Sequence, residues 1–278
     1  MLVFEFTLLL VIVAYAAGLL GSLTGLGGGL IITPVLVLWF GVNIYYAMGA
    51  SLISVIATSS TSAAAYLKEG YTNLRIGMLL EVVAAIGAVI GAILTKWVPV
   101  GLIAIIFGVI LIFSAYLSLR RNEHLDEPKT SHPWAVSLQL EGTYPVTGGK
   151  KAYTVQKVPQ AMSLMGVAGI LSGLLGIGSG ALKVLAMDQA MKLPYKVATT
   201  TSNFIIGITA AVSAGVYFKH GFIDAGLTAP VVVGVVLGSY TGAKVLPKMN
   251  VKLLRAIFSV VVLIMAIEML YKGISGGL

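Results

Sequence analysis

Gly25-Leu26-Gly27-Gly28-Gly29 returns 151 residues later as Gly176-Ile177-Gly178-Ser179-Gly180. The match extends outward on both sides: residues 18–119 align with 169–270 without a gap. Ser51 falls on Ser202, Thr58 on Thr209, and Ser62-Ala63 on Ser213-Ala214. Tyr66, Lys68 and Gly70 fall on Tyr217, Lys219 and Gly221. Each motif interrupts an apolar segment, and glycine costs about 1 kcal/mol relative to alanine inside a helix. Such density marks a broken helix or a close backbone contact. A chain of two matching halves, each with a glycine-broken apolar segment, carries the sequence mark of a secondary transporter.

Composition sets the class. The chain is 58% hydrophobic and 10% charged, with a mean hydropathy of +0.99. A soluble domain carries about 25% charged residues. Backbone groups in lipid must be satisfied within helices or a closed barrel. The apolar runs lack period-2 alternation, which selects helices. The expected fold is an all-α polytopic membrane protein. The net charge of +8 does not indicate nucleic acid, because basic residues are dispersed at segment ends. Cysteine is absent, so no thiolate metal site can form, and no cofactor is implied. The first apolar run lacks a basic n-region and a clear cleavage site, and reads as a membrane segment.

Five apolar stretches can be drawn in each half: about 2–23, 26–40, 44–66, 75–97 and 100–119, then 160–175, 177–191, 197–218, 223–246 and 251–271. The domain reading is therefore repeat 1 over 1–119, a connector over 120–159, and repeat 2 over 160–278. The connector holds charges, prolines and a Gly-Gly pair, with a short strand or hairpin expected around 135–157. The second stretch of each half is short. Either it completes one broken crossing, which makes the halves parallel, or it forms a hairpin, spanning or re-entrant, which inverts them. The inverted arrangement places fourteen basic residues on one face and three on the other; the parallel one gives ten against seven. Positive charge concentrates on the cytoplasmic side. The expectation is two inverted repeats, each a broken hairpin plus three transmembrane helices, with a cytoplasmic connector and both termini outside.

A helix that starts at a break inside the membrane presents unpaired N–H groups and a positive dipole end, which favour an anion. Gly27, Gly28, Gly29, Gly178, Ser179 and Gly180 are thus candidates for binding a small anion. The alternative for any one glycine is close helix packing. Hydroxyl-rich starts to the third stretches add Ser51 and Ser202, with Asn203 beside the latter. Neutral donors solvate an oxyanion without trapping it. The alternative is bonding back to their own helices, which is the better reading for Ser59 to Ser62. Lys183 lies well inside an apolar stretch and is the last candidate; its alternative is a pair with Asp188. Glu81 reads as a structural partner of Arg75 or as a proton-coupling carboxylate, the former being preferred.

With these motifs on the page, the chain resembles the TauE/SafE sulfite exporter (TSUP) family. The resemblance rests on the glycine-rich break, Ala-x-x-x-Ser at Ala47–Ser51 and Ala198–Ser202, and Lys-x-Gly at Lys68–Gly70 and Lys219–Gly221. It implies movement of small sulfur-containing anions, such as sulfite or organosulfonates, across the cytoplasmic membrane, often outward. It covers both halves but not the connector, and Lys183 and Asp188 are outside its motifs. An inside-negative potential pushes an anion outward by about 2.3 kcal/mol per charge per 100 mV, so export needs no coupling ion. An anion channel or a carrier of small carboxylates is the other reading; a homo-oligomer also remains open. An intramembrane serine enzyme is disfavoured, because Ile177 stands where a G-x-S-G motif needs glycine.

Overall fold

The computed structural model describes residues 3–24, 27–119, 130–146, 148–178, 180–245 and 251–276. Repeat 1 contains α1 (Val3–Thr24), α2 (Gly29–Leu38), α3 (Ile44–Glu69), α4 (Leu74–Leu94) and α5 (Val100–Leu119). The connecting segment holds α6 (Pro133–Ser137) and an antiparallel hairpin of β1 (Gly142–Val146) and β2 (Gly149–Tyr153). Repeat 2 contains α7 (Val158–Leu175), α8 (Gly180–Leu185) running into a π-helical turn (Ala186–Ala190), α9 (Tyr195–Lys219), α10 (Ala225–Val245) and α11 (Val251–Ser275). The boundaries obey the sequence offset: α4 and α10 match at both ends, and α2 and α8 begin at matching glycines.

The local signals match too. Asn73 caps α4 by accepting from the Ile76 N–H at 3.0 Å, and Asp224, its repeat equivalent, caps α10 through Leu227 at 2.8 Å. Gly70 and Gly221 take positive φ, at 74° and 75°, just after α3 and α9. The glycine of each Lys-x-Gly motif thus stops a long helix in a conformation that suits glycine.

Among the described residues, six helices are long and apolar enough to cross a membrane: α1, α3, α4, α7, α9 and α10. The protein is a helical, multi-pass membrane protein. On α4 the division of faces is plain. Met78, Val82, Ile86, Ile90 and Ile93 are exposed, and Leu80, Glu81, Ala84, Gly87, Ala88 and Gly91 are buried. That outward apolar stripe has no reason to exist in water and suits lipid contact.

The short helices do not span. Ten residues of α2 rise about 15 Å, half of a hydrocarbon core of about 30 Å. Each folds back along the helix before it. The Phe40 ring packs edge-on against Phe6 near the start of α1, at 5.3 Å. In repeat 2, the Gln156 N–H before α7 donates to Met191 O after the π-turn, at 3.0 Å. A single broken crossing would carry these ends apart, whereas here they lie together.

Helices then pair across the repeats. α1 lies on α10 and α4 on α7, each pair running in the same direction. A β-carbon at Gly18 would meet Val235 O at 2.5 Å, and one at Gly87 would meet Gly166 O at 2.5 Å. Small residues here bring backbone against backbone. Equivalent helices pack antiparallel. Ser59 of α3 reaches Asn203 of α9, while Met48 of α3 meets Tyr217 of α9. Along α5 and α11, Gly101 faces Gly273 and Ala115 faces Ser259.

Candidate functional site

The two glycine breaks meet between α3 and α9. Gly27 and Gly178 hold equivalent left-handed conformations, with φ of 76° and 72°. Val55 and Ile206, themselves repeat equivalents, lie over both. A β-carbon at Gly27 would sit 3.0 Å from Ile206 Cδ1 and 3.6 Å from Val55 Cγ2; one at Gly178 would sit 2.7 Å from Ile206 Cγ1 and 2.9 Å from Val55 Cγ1. Gly29 completes the contact, with its β-carbon position 3.4 Å from Ile177 O. So the chain turns inside the apolar layer at two adjacent points, and side chains would block both the turns and their approach.

Ser51 Oγ donates to Gly29 O at 3.2 Å, and Ser202 Oγ donates to Gly180 O at 3.4 Å. Each serine ties the third helix of its repeat to the first residue of the short helix. Gly28 sits beside Thr58, whose hydroxyl donates to Ser54 O at 2.9 Å. Asn203 points away from its neighbour: its amide donates to Ser22 O on α1 at 3.3 Å, and Oδ1 is buried with no hydrogen-bond partner among the described residues. Ser179 lies outside the described residues.

Lys183 is fully buried on α8. Its partner is not Asp188 but Glu81 of α4, 2.8 Å from Nζ to Oε2. Thr209 of α9 closes the cluster, accepting from Lys183 and donating to Glu81 Oε1. Arg75, the expected partner of Glu81, instead donates to Gln139 O and Oε1 at 3.0 Å each. The sequence expectation favoured near neighbours. Burial overrides it, because a charge sunk in the apolar layer must take the opposite charge that tertiary packing brings to it.

The cluster is present on one side only. Repeat equivalents of Lys183 and Glu81 are Ile32 and Val232. Thr209 keeps its match in Thr58. One turn beyond Thr209 and Thr58 on the same helix faces stand Ser213 and Ser62, both fully buried, with hydroxyls that have no partner among the described residues.

Ser59 and Ser62 were also misjudged from sequence, since neither bonds back to its own helix among the described residues. Ser60 and Thr61 do bond back to Ile56 O and Ala57 O, each at 2.8 Å. Ser59 instead donates to Asn203 O at 2.6 Å and accepts from the Gly207 N–H at 3.1 Å, stitching α3 to α9 at their crossing. No local pattern separates it from its neighbours; only the antiparallel packing does.

Sequence comparison now adds to the geometry. The profile described as Sulfite exporter TauE/SafE matches residues 10–269. The chain belongs to the TauE/SafE family. Among its relatives, a probable membrane transporter protein YdhB of Bacillus subtilis is 30% identical, over 88% of this chain and 94% of that one. YunE of the same organism, also named a probable membrane transporter protein, is 29% identical over 96% and 98%. MJ0441 of Methanocaldococcus jannaschii, with the same description, is 25% identical over 96% and 97%. No solved structure matches the chain. The TauE/SafE match spans both glycine breaks and the Glu81–Lys183 pair.

Proposed function

We propose that this TauE/SafE protein is a secondary transporter that carries a small sulfur-containing anion, of the sulfite or organosulfonate class, outward across the cytoplasmic membrane. The observation that carries the reading is a buried ammonium, Lys183, on the short helix that follows the second of two glycine breaks meeting under Val55 and Ile206. A cation at membrane depth marks a substrate or ion path, and irregular backbone is tolerated there where protein or a cavity covers it. The family's name supplies the substrate class.

The substrate seat comprises Gly27, Gly28, Gly29, Ser51, Gly178, Ser179, Gly180, Lys183, Ser202 and Asn203. The repeats are inverted and rock against each other to expose this seat alternately. Antiparallel packing of α3 on α9 and of α5 on α11 supports the inversion. The faces are unequal in charge. The hairpin β1–β2 lies with the α3–α4 loop, where the Asn73 amide donates to Leu140 O at 2.9 Å and to the Tyr153 hydroxyl at 2.7 Å. Lys196 lies over the Tyr71 ring nearby, at 5.3 Å. Lys96 and Lys219 converge on His220, at the far ends of α4 and α9. The richer face, with the connector, is cytoplasmic and the termini are outside.

The experiment is anion flux in proteoliposomes under a clamped potential, comparing sulfite, sulfate, thiosulfate, methanesulfonate and acetate. Saturable flux with counterflow of a sulfur oxyanion is expected. Movement of acetate alone, or unsaturable flux, overturns the reading. A second expectation concerns the two serines. Ser51→Ala and Ser202→Ala each remove the tie to the first residue of the short helix, a hydrogen bond worth about 1 kcal/mol. Each should slow transport several-fold while melting stays within that range. Wild-type kinetics in both variants would remove the pair from the site.

A further inference from the structure

The Glu81–Lys183–Thr209 cluster draws one element from repeat 1 and two from repeat 2, and it has no counterpart at Ile32 and Val232. A structural latch between related halves has no need of charge on one side only. The second observation is Ser213. It stands one turn past Thr209 on the same face, its hydroxyl buried and without a partner among the described residues. A hydroxyl is a donor suited to an anion, and it stands one turn along α9 from Thr209, the hydroxyl that binds the Lys183 ammonium.

We propose that Glu81 is a proton site and Lys183 the matching anion site, so that each substrate anion moves together with one proton. This rests on the carrier reading above, and it replaces the membrane potential as the drive: outward flux then runs down the anion's own gradient, set against the pH gradient. In the empty protein the Glu81 carboxylate occupies the ammonium as an internal stand-in for the substrate. A proton from water binds a Glu81 carboxylate oxygen. The neutral carboxyl keeps its hydrogen bond with Thr209 but releases its charge claim on Lys183. The substrate anion then takes that place, with Thr209 and Ser213 as neutral neighbours.

Charge balance is the reason the steps are linked. Carboxylate plus ammonium is neutral; carboxylic acid plus ammonium plus a monovalent anion is also neutral. Either unlinked step leaves a net charge buried among apolar helices, which costs several kcal/mol. The empty and the loaded protein can both reorient, and the half-loaded states cannot. Titratable or charged groups on the surrounding elements are Arg75 on α4, Tyr116 on α5, Asp188 on the π-turn, and Tyr195, Lys196, Tyr217 and Lys219 on α9; α7 contributes none. Arg75 is engaged with Gln139, and Asp188 accepts from the Gln189 amide at 3.2 Å.

The test uses the full-length protein in proteoliposomes with methanesulfonate, a strong-acid anion that stays charged at working pH. With the potential clamped at zero, a pH gradient should concentrate methanesulfonate on the alkaline side, up to about tenfold per pH unit. With no pH gradient, an imposed potential should drive no accumulation. Glu81→Gln keeps hydrogen-bonding capacity but removes the proton site. In it the pH gradient should lose its effect and net flux should fall, because the empty carrier is left with an uncompensated ammonium, while methanesulfonate exchange across the membrane, which cycles only the neutral loaded form, should persist. Wild-type accumulation that follows the potential and ignores the pH gradient overturns the proposal, whether or not the variant folds. Sulfite is the second probe. It reports flux alone, because it binds a proton itself and its response to a pH gradient does not depend on Glu81. Absence of flux for both probes defeats the transporter reading itself, and this inference with it.

Discussion

Lys183→Met should abolish transport and also weaken the protein more than any other single substitution at the centre. The two effects have separate causes. Lys183 is fully buried and holds Glu81, which is 2% exposed, at 2.8 Å. Methionine follows the same path through the apolar layer but leaves the carboxylate without its partner. Breaking a buried pair by removing one member costs about 3–5 kcal/mol. Replacing both members with apolar groups of similar volume is often neutral or stabilising. The double variant Lys183→Met/Glu81→Leu should therefore recover most of the lost stability. The other repeat already tolerates that chemistry, with Ile32 and Val232 in the equivalent places. Transport should not recover, because the cation that holds the anion is gone. Thermal melting in detergent and flux in proteoliposomes read the two effects apart. Restored transport in the double variant would reduce Lys183 to a structural role.

The same pair shows where sequence reading stops. The breaks at Gly25–Gly29 and Gly176–Gly180 were legible because two copies at one offset carry them. The hairpin return was a choice between two arrangements that charge counting favoured, and Phe40 against Phe6 bears on it directly. Partner choice was not legible. Glu81 has Arg75 six residues away, and Lys183 has Asp188 five away; sequence distance made those pairs attractive. The actual contact joins residues 102 apart. One signal was present: Glu81 and Lys183 were the charges drawn deepest in apolar stretches, and two such charges need each other more than either needs a residue near the surface. Ser59 had no such signal. It differs from Ser60 and Thr61 only in facing Asn203 across the α3–α9 crossing, and that crossing is a tertiary fact. Val55 and Ile206 were equally silent, as two apolar residues among many. Their place over both breaks follows from the symmetry of the packing.

Gly91→Ala should be the most damaging of the mild glycine substitutions, and the reason is which atoms stand in the way. A β-carbon there would meet Leu174 N at 2.8 Å and the Ile170 carbonyl carbon at 2.8 Å. Both are backbone atoms of α7, so relief requires α4 and α7 to separate along their whole contact. Its repeat equivalent, Gly242, is less rigidly blocked. The nearest atom is the Ser22 hydroxyl, which can rotate, although Leu19 O stands at 2.9 Å. Gly215 is the control: nothing lies within 4 Å, and repeat 1 already carries Ala64 at that position. Overpacking costs about 1–3 kcal/mol, and the helix gains about 1 kcal/mol from alanine in place of glycine. The net effect should be a clear loss for Gly91→Ala, a smaller loss for Gly242→Ala and a slight gain for Gly215→Ala, measured as shifts in thermal melting. Because α4 also carries Glu81, the first substitution should impair transport beyond its effect on folded yield. A displaced α4 carries the carboxylate away from Lys183, whereas α10 carries Val232 at the matching place. Equal transport defects from Gly91→Ala and Gly242→Ala, at equal folded yield, would argue that the charged side of the molecule is no more demanding than the apolar one.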